Sequence, residues 1–141
     1  MTAEDRLGIM DLISRYVTRI DSGDLDGYVA NFAPNGTIEW ANGRAEGHDA
    51  IRNWVGGLMA AGIGATPAQV RHFVSLPYIT GDSERGTAQT YVIVFGLDAS
   101  GNVTVPSVGS YTDTVVKVDG KWLFEKRIML ADLGVFGKRP D

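Results

Sequence analysis

Apolar residues recur at three- and four-residue steps in the first part of the chain. Leu7, Met10, Ile13, Val17 and Ile20 make one stripe, which predicts a helix over residues 3–21. Thr2 and Asp5 have the spacing of a capping pair, and Gly23 supplies a stop. Asp24 then caps a short helix over 25–32, with Leu25, Tyr28, Val29 and Phe32 on one face. Residues 34–36 read as a turn, 37–41 as a short strand and 42–44 as another turn. A third helix is predicted over 49–60, with Ile51, Trp54, Val55, Leu58 and Met59 as its core stripe; Gly56 and Gly57 weaken it. Residues 61–68 read as a flexible loop. From residue 70 the pattern becomes β-like, with strands near 70–80, 86–98, 103–119 and 121–131. Turn composition at 98–102 and Asp-Gly at 119–120 mark hairpins. Helices first and a meander afterwards predict a segregated α+β fold, with the helices on one face of an antiparallel sheet.

The remaining bulk properties mainly exclude. A length of 141 residues fits one domain over 1–141, able to bury about two thirds of its unfolded surface. The net charge of −4 argues against a nucleic-acid partner, which needs a basic stripe. The absence of cysteine excludes disulfides, thiolate metal sites and a cysteine nucleophile. The opening residues are acidic where a signal peptide is basic, and no run of about 18 apolar residues follows. The expectation is a soluble, cytoplasmic protein without a membrane partner.

Two residues stand out against this background. His72 lies in an apolar run and, on a two-residue period, shares a face with Val70, Val74 and Leu76. A buried histidine needs a hydrogen-bond partner. Asp21 is placed at the end of the first helix, where a carboxylate is electrostatically unfavourable and wants a donor. An aspartate bound to one ring nitrogen fixes the tautomer and leaves the other nitrogen as a base. On spacing alone, a satisfied core histidine is the plainer reading. Tyr16 lies five residues before Asp21, about 140° around the helix, so the two share a cavity only at the helix end. His48, before the third helix, reads as an exposed capping residue. Two histidines in separate elements, with no HExxH spacing, predict no metal site. No GxSxG motif supports a serine nucleophile, and residues 81–86 have turn composition without the ending of a phosphate loop.

Four stretches carry a resemblance: RYVTRIDSGDLDGYVANFAPNGTIEW, GHDAIRNW, VRHF and GSYTDTVVKVDGKWLFEKR. In order and spacing they resemble the SnoaL-like group of the nuclear-transport-factor-2-like superfamily. The resemblance implies a cone-shaped α+β barrel, a curved antiparallel sheet wrapped around three N-terminal helices, with a pocket inside. Its members include dehydratases, dehydrochlorinases, isomerases, polyketide cyclases and non-catalytic subunits, so fold alone does not give function.

Asp21 and His72 match the Asp–His pair of the scytalone dehydratase, bile-acid 7α-dehydratase and hexachlorocyclohexane dehydrochlorinase branch. Tyr16 matches a tyrosine of the bile-acid enzyme, and Arg127 an arginine of the dehydrochlorinase. Strand parity groups Arg127 with Leu123 and Glu125, opposite Trp122 and Phe124. The steroid isomerase branch has its base where this chain has Trp40, so that mechanism fits less well. The resemblance implies a cofactor-independent, dehydratase-like lyase. His72 abstracts a proton, Asp21 orients it and Tyr16 donates to an oxygen. The candidate lining residues Ile20, Phe32, Trp40, Trp54, Leu58, Phe73 and Met129 suit a small cyclic apolar substrate. An isomerase or polyketide cyclase using the same pocket, and a non-catalytic binding or subunit module, stay open. Family members associate through the outer sheet face, so a homo-oligomer, dimer or trimer, is expected.

Overall fold

The computed structural model describes residues 1–61 and 70–134. The loop predicted over 61–68 lies outside them, apart from Ala61.

Helix α1 (Ala3–Ser22) starts at a capping box. Thr2 accepts from the Asp5 amide at 3.1 Å, and the Thr2 amide donates to the Asp5 carboxylate at 2.8 Å. The helix stops at Gly23, whose φ of 73° is the left-handed conformation that glycine adopts without steric cost. Asp24 caps α2 (Leu25–Val29) by accepting from the Gly27 amide at 2.8 Å. This helix is shorter than its sequence pattern predicts, because Phe32 already belongs to β1 (Phe32–Trp40).

Residues 34–36 are therefore not a chain-reversing turn. They form an irregularity inside β1, where pairing with the last strand skips from Phe32 to Thr37. A proline, with no N–H to donate, is tolerated at such a break in the ladder. The chain reverses after Trp40 into β2 (Gly43–Glu46), which leads into α3 (Gly47–Ala60). His48 is half-buried rather than exposed. Its Nε2 lies 2.8 Å from the Phe32 carbonyl and ties the start of α3 to the start of β1.

The second half forms β3 (Val70–Val74), β4 (Tyr78–Gly81), β5 (Arg85–Leu97), β6 (Val103–Val118) and β7 (Lys121–Gly134). The predicted first strand is thus two strands, parted at Ser75 to Pro77. Seven strands run in the order β2-β1-β7-β6-β5-β3, with β4 also pairing β5. The sheet is curved and unclosed. It is also mixed rather than wholly antiparallel, because β1 lies parallel to β7.

The helices fill its concave side, giving the segregated α+β layering that the sequence pattern predicts and the cone that the family resemblance implies. The buried stripe of α1 is Ile9, Leu12, Ile13, Tyr16, Val17 and Ile20. Leu7 falls off that stripe and is 64% exposed.

One bulge matters for the site. In the β6/β7 ladder Phe124 faces Val115 and Lys126 faces Thr114, so Glu125 is an extra residue. An inserted residue reverses the in-and-out alternation. Trp122, Phe124 and Arg127 are consequently all buried, and the simple parity that set Arg127 opposite Phe124 does not hold.

Candidate functional site

The left-handed stop at Gly23 leaves Asp21 in the final turn of α1, beside the middle of β3. There a single residue satisfies both carboxylate oxygens. The His72 backbone amide donates to Oδ2 at 2.8 Å, and the ring Nδ1 lies 2.6 Å from Oδ1. These two donors answer the unfavourable field at a helix C-terminus. Each side chain is only about one-eighth exposed (12% for His72, 13% for Asp21). Because an ionised carboxylate only accepts, the hydrogen-bond network assigns the proton of a neutral ring to Nδ1. Nε2 is then left with a lone pair.

His72 lines a partly open cavity of about 60 Å³ between the helices and the sheet. Tyr16 and Ile20 of α1, Tyr28 of α2, and Trp54, Val55 and Leu58 of α3 form the helical wall. The sheet contributes Val92, Val94, Ser107, Gly109, Tyr111 and Met129, among others. The wall is mostly apolar, with a few hydroxyls and the imidazole as its polar groups.

Two of those hydroxyls act together. Tyr28 donates to the Tyr16 hydroxyl at 2.7 Å, and the rings pack at a centroid distance of 4.7 Å. Two phenols that share one hydrogen bond have one O–H left over. Its acceptor in the wall is the Met129 thioether, 3.9 Å from the Tyr16 oxygen, a weak partner. Burial pushes both phenols above the ordinary tyrosine pKa, so both remain donors at neutral pH.

Arg127 occupies a different position from the cavity wall. It is fully buried, and its Nε and Nη2 donate to the two Asp113 oxygens, each at 2.7 Å. Its guanidinium carbon lies 4.0 Å from the ring centroids of Tyr16 and Tyr111 and 4.1 Å from that of Phe124. Nη1 is buried and has no hydrogen-bond partner among the described residues. Burial works against the charge, but the attraction of Asp113 outweighs it and holds the arginine pKa above its usual value. The result is a permanent cation against the face of Tyr16, not a group lining the cavity.

Of the apolar residues proposed from sequence, Ile20, Trp54, Leu58 and Met129 line the cavity. Phe32, Trp40 and Phe73 do not. Phe32 is buried against Tyr16, Tyr28 and Phe124. Trp40 stacks on Trp54 with a centroid distance of 4.3 Å and so supports the wall from behind. Phe73 is 67% exposed on the outer sheet face, edge-on to Phe95, because it alternates with the inward His72.

Sequence reasoning missed Tyr28, Ser107 and Tyr111 as polar wall groups. Tyr28 was legible only as part of a core stripe. The inward set Ser107, Gly109 and Tyr111 depends on a register that bulges reset. Among the described residues no group of three His, Cys, Asp or Glu could hold a metal ion, and no helix is long and apolar enough to cross a membrane.

An unclosed, curved sheet over three helices with a cavity between them is a cystatin-like, NTF2-like fold, and solved structures agree. A protein of unknown function with a cystatin-like fold from Nostoc punctiforme is 26% identical, with a TM-score of 0.84 over 94% of each chain. An NTF2-like protein from Novosphingobium aromaticivorans is 24% identical, with a TM-score of 0.81 over 89% of this chain and 80% of its own. A candidate scytalone dehydratase from the same organism is 22% identical, with a TM-score of 0.78 over 99% of this chain and 97% of its own. Residues 1–128 match the SnoaL-like domain family, and the chain belongs to it. A sequence comparison with curated proteins gives no match.

Proposed function

We propose that this chain is a cofactor-independent lyase of the dehydratase type, acting on a small cyclic, largely apolar substrate. The observation that carries this reading is the Asp21/His72 pair, with both carboxylate oxygens spent on His72 and the ring set in the wall of an apolar cavity. The lone pair of His72 Nε2 takes a proton from a carbon next to a carbonyl. The C–H electron pair moves toward the carbonyl oxygen, which receives the spare O–H of the Tyr16 and Tyr28 pair. Asp21 stabilises the imidazolium. The electrons then return to form C=C, the β-hydroxyl leaves, and it takes the imidazolium proton to depart as water. The ring is neutral again, and atoms and charge balance. Arg127 stabilises negative charge at Tyr16 through the ring face rather than by touching substrate.

The cavity as it stands, about 60 Å³, is smaller than the roughly 150 Å³ that accommodates a benzene ring. Binding a ring therefore requires the half-buried Trp54, Leu58 and Met129 to move. An isomerase or cyclase shares the first proton transfer and differs in where the proton or electron pair goes, so product analysis separates it. A non-catalytic binding module keeps Asp21 and His72 only as a structural pair.

The test is a panel of cyclic β-hydroxy ketones, followed by absorbance of the enone formed. Turnover by the native chain that falls at least about 10²-fold in a folded His72→Ala variant supports the lyase. Equal rates in the two proteins refute it.

We also propose that the outer sheet face joins copies of this chain into a homo-oligomer. The support is a set of exposed apolar side chains: Phe73, Tyr91, Ile93, Leu97, Val103 and Val105. Light scattering on the purified chain measures the mass, and a monomer at all concentrations refutes this reading.

A further inference from the structure

A ring needs more room than the cavity holds, so part of the wall has to give way. Of its half-buried apolar residues, two are held from outside. Trp54 stacks on Trp40, and Met129 stands on β7, which is paired with β1 on one side and β6 on the other. Leu58 has no such support. It lies in the last turn of α3, beyond Gly56 and Gly57.

The two halves of α3 are anchored differently. The first half has buried Ile51 and Val55, the contact of His48 with the Phe32 carbonyl, and the ion pair of Arg52 with Asp26. Beyond Gly57 no residue of the helix is buried; Leu58 and Met59 are half-buried and Ala60 is exposed. The helix ends at Ala61 in a right-handed conformation, without a left-handed glycine stop, and no basic residue in the last turn offsets the negative end of its dipole. By contrast α1 ends with both, Gly23 and Arg19.

Nothing in the packing requires the two glycines. Neither has a positive φ. A Cβ at Gly57 would meet nothing within 4 Å beyond its own stretch of helix, and one at Gly56 would rest 3.5 Å from Leu25 Cδ2, an ordinary contact. Alanine would fit at both positions. Each glycine makes the helical conformation about fivefold less favourable than alanine would. Their effect is to make the last turn of α3 easy to open.

We propose that Gly56 and Gly57 determine the size of ligand that the cavity admits. The helix opens at this pair, its last turn carries Leu58 out of the wall, and a ring takes the vacated space. The inference rests on the reading that this cavity takes a cyclic ligand, but not on the elimination step.

Amide hydrogen exchange measured by NMR reads the opening, and titration with phenol, a one-ring probe, reads its use. In the native chain the amides of residues 58–61 are expected to exchange at least about tenfold faster than those of residues 51–55. Gly56→Ala combined with Gly57→Ala is expected to slow them about 25-fold and to weaken phenol binding by about the same factor, with a urea midpoint that does not fall. In a Leu58→Ala background the space is already open, so the same two alanines are expected to change phenol affinity by less than about threefold. Phenol affinity untouched by the two alanines overturns the proposal, as does a loss undiminished in Leu58→Ala. A last turn that exchanges no faster than residues 51–55, or a native chain that does not bind phenol, also overturns it. So does a lower urea midpoint, which would show that packing requires the glycines. None of these readouts needs proton transfer, so they are independent of turnover in His72→Ala. The lyase reading can therefore fail while this one stands, and the reverse.

Discussion

Two aspartates in the core each pair with a nitrogen-bearing side chain, and the two pairs are built oppositely. Asp113 and Arg127 form a closed pair with two parallel hydrogen bonds, no exposure and an aromatic cage around the guanidinium. Asp21 and His72 form an open pair. The carboxylate is fully occupied, but one ring nitrogen is left over at a cavity wall. Burial is greater in the first pair, and available chemistry is greater in the second. What marks a candidate acid–base site is spare hydrogen-bonding capacity facing a cavity, more than burial or charge alone.

The contrast can be broken from either side. The largest effect on stability is expected for Asp113→Ala, which leaves a fully buried guanidinium without its counter-ion. Breaking a buried pair in this way costs about 3–5 kcal/mol, measurable as a drop in the urea midpoint. Replacing both partners, as Asp113→Leu with Arg127→Met, is expected to recover most of that loss. If the single and double variants melt alike, the closed pair is not held by its charges.

At the open pair the balance reverses. His72→Ala is expected to lower turnover at least about 10²-fold while costing less stability than Asp113→Ala, because its carboxylate partner is near solvent and can rehydrate. Equal stability losses at the two pairs would erase the distinction.

Between these lies Tyr28→Phe. It removes the donor to Tyr16 and frees the Tyr16 oxygen to turn its own proton elsewhere. Turnover is expected to fall about tenfold with KM nearly unchanged, since the loss falls on the developing oxyanion. An unchanged kcat would remove Tyr28 from the site.

The smallest effect belongs to a pair outside both regions. Hydrogen bonds from Lys117 and from the Thr2 amide hold the Asp5 carboxyl well below the usual carboxylate range. A depressed folded pKa means that the unfolded chain takes up the proton first. The stabilisation is complete above the unfolded value of about 3.9 and is lost as pH falls toward the folded one. Urea midpoints measured from pH 6 downward are expected to fall less steeply in Asp5→Asn than in the native chain. Parallel curves would show that this carboxylate contributes nothing to acid sensitivity.

How far the sequence reveals this arrangement varies by level. The cap at Thr2, the stop at Gly23 and the Asp-Gly hairpin are local signals, and each appears where its residues predict. The partnership of Asp21 with His72 was legible from residue type and placement, because a carboxylate at a helix C-terminus and a histidine on a core face each need a partner. The second bond, from the His72 backbone amide, depends on how α1 meets β3 and leaves no mark in side-chain identity.

Arg127 was misplaced for a definite reason. The extra residue Glu125 reverses the alternation, and no glycine or proline in that stretch announces the bulge. The opposite case is Phe73, where the same alternation that turned His72 inward already turned its neighbour outward. Ser107 and Tyr111 were hidden because the register of β6 is set jointly by β5 and β7, each with its own shift.

The central claim is that Asp21 fixes His72 with its proton on Nδ1 and leaves Nε2 as the base. Long-range proton–nitrogen NMR correlation of the two histidine rings tests this most directly, at a pH of about 8.5 where an ordinary imidazole is neutral. Nitrogen shifts of His72 that report a protonated Nδ1 and a bare Nε2, with that preference lost in Asp21→Asn, are the result the account predicts. A ring protonated at Nε2, or a tautomer indifferent to Asp21, would contradict it.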